Sequence, residues 1–150
     1  MSALDTLVNP PFANDPPIKV NLDSKVVGLV VAILAGIGAL FALLGLLGLL
    51  GLGAAFGGIF VLAIIGIIVS LVADVMALLG GWQMYQGNES GKRLAIYGLA
   101  ITFVAEIILM IGFSAGSSFL QLILLALMYY AVVVSRFPGQ APSTSASRGV

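Results

Sequence analysis

Two acidic residues, Asp74 and Glu106, lie inside long apolar stretches and are the residues of this chain best suited to chemistry. A carboxylate in such a place binds protons, cations or hydrogen-bond donors, and it costs about 2.5 to 3.5 kcal/mol at the centre of a membrane helix. The chain contains neither Cys nor His, which excludes thiolate and imidazole chemistry and the metal and haem sites that use those ligands. The sequence therefore predicts no cofactor, no metal site and no enzymatic activity.

The two acids are expected to lie at one depth, together with Gln121. Along a helix that rises 1.5 Å per residue, each of the three lies about 20 Å from the charged end of its predicted helix, at Gly87, Arg93 or Arg136. Ser70 precedes Asp74 by four positions and Thr102 precedes Glu106 by four, so each pair shares a helix face. The sequence predicts that these five residues form one polar layer inside a helical bundle, with the two carboxylates in contact or joined through one water.

The polar layer has two interpretations. It could be a proton relay, a cation site or an anchor for a lipophilic ligand such as a quinone or pigment, since acids within membrane helices commonly mark such pathways. It could instead be a set of hydrogen bonds between helices, or a contact with a polar residue of a partner subunit.

The elements that must position this layer are four apolar segments. Of the 150 residues, 61% are hydrophobic and 8% are charged, whereas a soluble domain is about a quarter charged. Each segment can cross a hydrocarbon core about 30 Å thick. The sequence therefore predicts an all-α membrane protein, an antiparallel bundle of four transmembrane helices over residues 26–135. The predicted helices cover about 26–52, 58–85, 94–113 and 117–135.

Polar segments flank the predicted bundle at both ends. Residues 1–25 are predicted to be a cytoplasmic arm. This arm is either a linker on the membrane surface or a strand that docks a partner. Residues 136–150, rich in Ser with two prolines, read as a disordered cytoplasmic tail. Deletion of residues 2–17 is expected to leave the bundle folded, because polar ends tolerate truncation unless they are tied down.

The orientation follows from the six basic residues. They fall only in the arm, in the loop between the second and third helices, and in the tail, so the positive-inside rule places both termini in the cytoplasm. Lys92, Arg93, Trp82 and Tyr85 lie near that side and are expected to contact lipid headgroups. The predicted location is a bacterial inner membrane, as an integral multi-pass protein.

Small residues recur on the predicted helix faces. The first helix offers Gly28, Ala32, Gly36 and Gly38, and small residues at such spacings let helix backbones approach closely in lipid. Packing within the chain is the main interpretation, and a homo-oligomer through the same faces is the alternative.

The functional hypothesis from sequence is a small structural or accessory subunit of a larger membrane complex, one that handles electrons or protons. The alternative is a small transporter or channel with a proton, cation or lipophilic-ligand site at Asp74 and Glu106. The expected partners are the lipid bilayer and other membrane-protein subunits. Nucleic acid is not expected, because basic and acidic residues cancel and no cationic stripe is present.

Overall fold

The chain is all-helical in a computed structural model that describes residues 3–13, 16–18, 20–52, 59–113 and 118–139. Five α-helices occur in these ranges, and a 3₁₀ turn at Pro11–Ala13 follows the first of them. The helices are α1 (Ala3–Val8), α2 (Ser24–Leu52), α3 (Ile59–Tyr85), α4 (Ser90–Phe113) and α5 (Ser118–Val134). The four long helices correspond to the four predicted segments, with ends that differ by at most four residues.

The loop between α3 and α4 is built from local capping interactions. Gly87 adopts a positive φ of 85°, and its N–H donates to the Met84 carbonyl at 2.9 Å, while the Asn88 N–H donates to the Gln83 carbonyl at 2.9 Å. This pair of bonds is a Schellman motif, which needs a residue that tolerates the left-handed conformation. The Asn88 side chain then accepts the Ser90 N–H at 3.1 Å and caps α4.

Close backbone approach at glycines packs α2 against α3 and α3 against α4. A Cβ added to Gly28 would lie 2.6 Å from the carbonyl oxygen of Gly81, and one added to Gly98 would lie 2.5 Å from the amide nitrogen of Ala77. Gly28 lies at the start of α2 and Gly81 near the end of α3, so these neighbours run antiparallel. Gly28 thus allows the close backbone approach that the small residues of the first helix predict, and Gly98 allows the same approach between α3 and α4.

The fourth side of the bundle is less complete. Helix α5 packs along α4 but meets α2 over only a short stretch. The fully buried side chains Met84, Ile96 and Val132 lie toward the end of the bundle that holds the α3–α4 loop. A cleft therefore remains between α2 and α5.

The N-terminal arm folds back onto the bundle. The Tyr129 hydroxyl donates to the Leu7 carbonyl at 2.7 Å, and the Tyr130 hydroxyl donates to the Ile18 carbonyl at 3.0 Å. Val8 joins the hydrophobic core. The interpretation of residues 1–25 as a linker on a membrane surface misses these contacts, because they depend on tyrosines more than a hundred positions away.

The first residues of the predicted tail are also packed. Asp23 and Arg136 form an isolated parallel β-bridge, in which the Arg136 N–H donates to the Leu22 carbonyl at 3.0 Å. Phe137 is only 5% exposed. The prediction of disorder from residue 136 onward is therefore wrong for residues 136–139, and the rest of the tail lies outside the described residues.

Two helical stretches, Ser24–Gly51 and Ala63–Tyr85, are long and apolar enough to cross a membrane. Phe119–Val134 is apolar but shorter. By length and composition the described helices thus give weak support to a membrane protein.

Candidate functional site

A cavity of about 630 Å³ opens among the four long helices, and all five residues of the predicted polar layer line it. Asp74 and Ser70 come from α3, Thr102 and Glu106 from α4, and Gln121 from α5. Their spacing of four along α3 and α4 turns both pairs toward the same interior space. The sequence therefore identified the polar part of this cavity.

Asp74 has a weak partner on the neighbouring helix. The Thr102 hydroxyl lies 3.4 Å from Asp74 Oδ1 and 3.0 Å from the carbonyl oxygen of Gly98. A threonine hydroxyl has one hydrogen to donate, and the carbonyl lies closer to it. Asp74 is thus only weakly hydrogen-bonded by this residue.

Glu106 has a strong partner on α5. Gln121 Nε2 donates to Glu106 Oε1 at 2.7 Å, a short distance typical of a charge-assisted bond. This bond ties α5 to α4 at the level of the cavity.

The polar layer is therefore two separate pairs that share one cavity. Asp74 pairs with Thr102 and Glu106 pairs with Gln121, and no direct hydrogen bond joins the two carboxylates among the described contacts. All five residues of the predicted layer line this one cavity. Contact between the two acids, direct or through one water, stays a prediction.

Helix α2 contributes Gly38, which the sequence does not mark as a site residue. A Cβ at this position would lie 3.0 Å from Asp74 Oδ2, closer than side-chain atoms ordinarily approach. Glycine here leaves room for the carboxylate. A glycine inside a helix is noticeable in a sequence, because it destabilises the helix by about 1 kcal/mol relative to alanine. The other packing glycines of α2 have the same property, so it does not distinguish Gly38 from them.

The walls of the cavity are mainly apolar. Its most exposed lining side chains lie on α2 and α5, where Phe41 is 67% exposed and Leu120 is 75% exposed. Because these helices meet only briefly, the cavity opens between them. The arrangement offers carboxylate oxygens at one wall and an apolar entrance at the other.

The predicted headgroup residues divide into two groups. Trp82 and Tyr85 are exposed, and their ring centroids lie 5.6 Å apart. Arg93, in the first turn of α4, is also exposed. Lys92 instead points inward, where its Nζ donates to the Val133 carbonyl at 2.7 Å and to the Ser135 carbonyl at 3.4 Å.

Lys92 thus completes the C-terminus of α5, where unpaired carbonyls favour a cation. The expected contact of Lys92 with headgroups is replaced, in this structure, by a contact within the chain.

The chemistry available in the cavity is that of carboxylates, an amide and hydroxyls. Such groups bind protons, cations and hydrogen-bond donors. Over the part of the chain that the structure describes, no group of three or more His, Cys, Asp or Glu side chains could hold a metal ion.

Comparison with family models, with curated proteins and with solved structures finds no match to this chain.

Proposed function

We propose that the chain is an integral membrane protein, that α2 to α5 each cross the bilayer, and that both termini are cytoplasmic. The composition and the two long apolar helices support this. Helix α5, with 17 residues, measures about 26 Å and comes close to the thickness of a hydrocarbon core. The basic segments also meet at one end of the bundle, where Lys92 contacts the end of α5. A bacterial inner membrane is the proposed location.

Within that membrane the protein acts as a small transporter or channel that binds a proton, a cation or a lipophilic ligand at Asp74 and Glu106. The observation that carries this proposal is the cavity that both carboxylates line, with an apolar opening between α2 and α5. Hydrogen bonding between helices alone would favour filled space around these acids, since cavities in a core lower stability. The proposed role is binding and movement of a ligand, with no enzymatic reaction.

The test compares protein reconstituted in liposomes with a variant that lacks both charges. Liposomes that contain the wild-type protein should pass protons or alkali cations along an imposed gradient, measured with an internal pH-sensitive dye and by ion uptake. The variant Asp74→Asn/Glu106→Gln should fall to the level of empty liposomes, because amides keep hydrogen bonds but carry no titratable charge.

Glu89→Gln is the matched control, since it makes the same change in the α3–α4 loop, outside the cavity. It should behave as wild type. Circular dichroism should show equal helix content in all three proteins. Equal flux through the wild type and the double variant would mean that the carboxylates do not carry the activity.

A second candidate is a structural or accessory subunit of a larger membrane complex. It is favoured by Gly48 and Gly51 at the far end of α2, where no described atom lies within 4 Å of a Cβ added at either glycine. Small residues left open in this way let a helix of another subunit approach closely. Purification in a mild detergent distinguishes the two, because an accessory subunit should retain stoichiometric partners, whereas a transporter should emerge alone or as a homo-oligomer.

A further inference from the structure

We infer that the cavity between α2 and α5 binds a lipophilic organic cation, whose charged centre is held by Asp74 and Glu106 and whose apolar body lies along the cavity walls. This inference rests on the proposed role of the two carboxylates as a binding site and names the class of ligand.

The size of the cavity is the first argument. Small-molecule sites occupy about 300 to 1,000 Å³ and combine apolar walls with a few polar groups. The cavity measures about 630 Å³ and has walls such as Phe41, Leu120 and Leu124 beside the polar layer. A proton or a bare metal ion needs no such volume, whereas an organic molecule does.

The second argument is a shortage of hydrogen-bond donors in the cavity. Of the four oxygens of Asp74 and Glu106, only Glu106 Oε1 receives a short hydrogen bond from a described residue. Ser70 is 8% exposed and lines the cavity, yet its hydroxyl has no hydrogen bond to any residue that the structure describes. Carboxylate and hydroxyl oxygens accept hydrogen bonds, so these groups favour a ligand that brings a positive charge or donors.

Charge is the third argument. The described residues that line the cavity include two carboxylates and neither Lys nor Arg. Lys92 is held at the end of α5 by two carbonyl oxygens. A cation therefore complements the cavity, and an anion would meet two acids without a counter-charge.

A metal ion fits this cavity less well than an organic cation. Ca²⁺ takes about six to eight oxygen ligands and Mg²⁺ requires a near-octahedral set, whereas the described side chains offer no cluster of three acidic, His or Cys ligands. An organic cation needs fewer oxygens, because its apolar body is stabilised by the walls.

The entrance also suits a membrane-soluble ligand. Phe41 on α2 and Leu120 on α5 are the most exposed lining side chains, and the two helices touch only briefly. In the proposed bilayer this opening faces lipid. A lipophilic cation could therefore reach the carboxylates from the membrane without crossing the packed end of the bundle.

The experiment measures equilibrium binding of radiolabelled tetraphenylphosphonium to the purified full-length chain in nanodiscs, with empty nanodiscs subtracted. Tetraphenylborate has nearly the same shape and the opposite charge, so it serves as the matched probe. We expect saturable binding of one tetraphenylphosphonium per chain and none of tetraphenylborate. Asp74→Asn/Glu106→Gln should weaken binding at least tenfold, and Glu89→Gln should leave it unchanged.

Three results would overturn the inference: no saturable binding of the cation to the wild type, equal binding of the two probes, or full binding by the folded double variant. The comparison of the two probes on the wild type stands even if the double variant does not fold. Proton or alkali-cation flux without tetraphenylphosphonium binding would leave the proposed function in place and remove only this inference. Tetraphenylphosphonium binding without such flux would support this inference and exclude a proton or alkali-cation pathway.

Discussion

Gly98 is one of the points where the backbone of α4 packs closely against that of α3. A Cβ at this position would lie 2.5 Å from the amide nitrogen of Ala77 and 2.7 Å from the carbonyl oxygen of Ala73, and neither backbone atom can move without moving a helix. Gly98→Ala should therefore lower the free energy of unfolding by about 1 to 3 kcal/mol, the range for overpacking. Denaturant unfolding in detergent, monitored by circular dichroism, measures this change in the free energy of unfolding.

Gly48→Ala is the control for this prediction. It makes the same change in α2, where a Cβ meets no described atom within 4 Å. The substitution should be neutral or stabilising by up to about 1 kcal/mol, because alanine favours a helix more than glycine does. Equal destabilisation by both substitutions would contradict the close packing at Gly98.

At this same scale, the sequence predicts which residues share a depth but not which atoms bond. The rise per residue places Asp74, Glu106 and Gln121 in one layer, and the spacing of four fixes their faces. The choice of Gln121 as the partner of Glu106 depends on how the helices rotate about their axes. Gly38 carries no chemistry of its own, so only the structure reveals that it leaves room for the Asp74 carboxylate.

Among the elements, α5 depends on a side chain from α4 to complete its end. Lys92 donates to the carbonyls of Val133 and Ser135, which helix geometry leaves without partners. Lys92→Met keeps most of the length of the side chain and removes the donor. It should lower the free energy of unfolding by about 1 to 3 kcal/mol, since a buried carbonyl loses a hydrogen bond to a charged group.

Arg93→Met makes the matching change at the next position, where the side chain is exposed. It should change stability by less than about 0.5 kcal/mol, as surface substitutions usually do. Thermal unfolding in detergent compares the two variants. A larger effect at Arg93 than at Lys92 would contradict the capping role.

The N-terminal arm is attached to α5 by two tyrosine hydroxyls. Tyr129→Phe and Tyr130→Phe each remove one hydroxyl and should each lower the stability of the folded arm by about 0.5 to 1.5 kcal/mol. Protection of Leu7 and Ile18 from limited proteolysis or hydrogen exchange should fall accordingly, while the exchange of α3 should not change. Unaltered protection in the double variant would mean that other contacts hold the arm.

For the whole molecule, composition and the apolar segments were enough to predict an all-helical fold. The packed ends were not predictable in this way. The bridge between Asp23 and Arg136 joins backbone groups more than a hundred positions apart, and no pattern in a polar segment specifies such a partner. From its polar composition alone, a chain end is predicted to be free of contacts. Here residues distant in sequence, such as Tyr129 and Phe137, supply contacts that composition does not indicate.

The orientation of the molecule in a membrane can be tested by single-cysteine labelling, because the chain contains no native Cys. Ser90→Cys lies at the end of the helical bundle that holds the basic segments. Gly51→Cys lies at the other end of the bundle, near the C-terminus of α2. With the positive-inside rule, a membrane-impermeant maleimide added to intact cells should label Gly51→Cys and leave Ser90→Cys unlabelled. Permeabilised cells should show both labelled. Labelling of Ser90→Cys in intact cells would reverse the proposed orientation, and labelling of both would argue against a bundle that crosses the membrane.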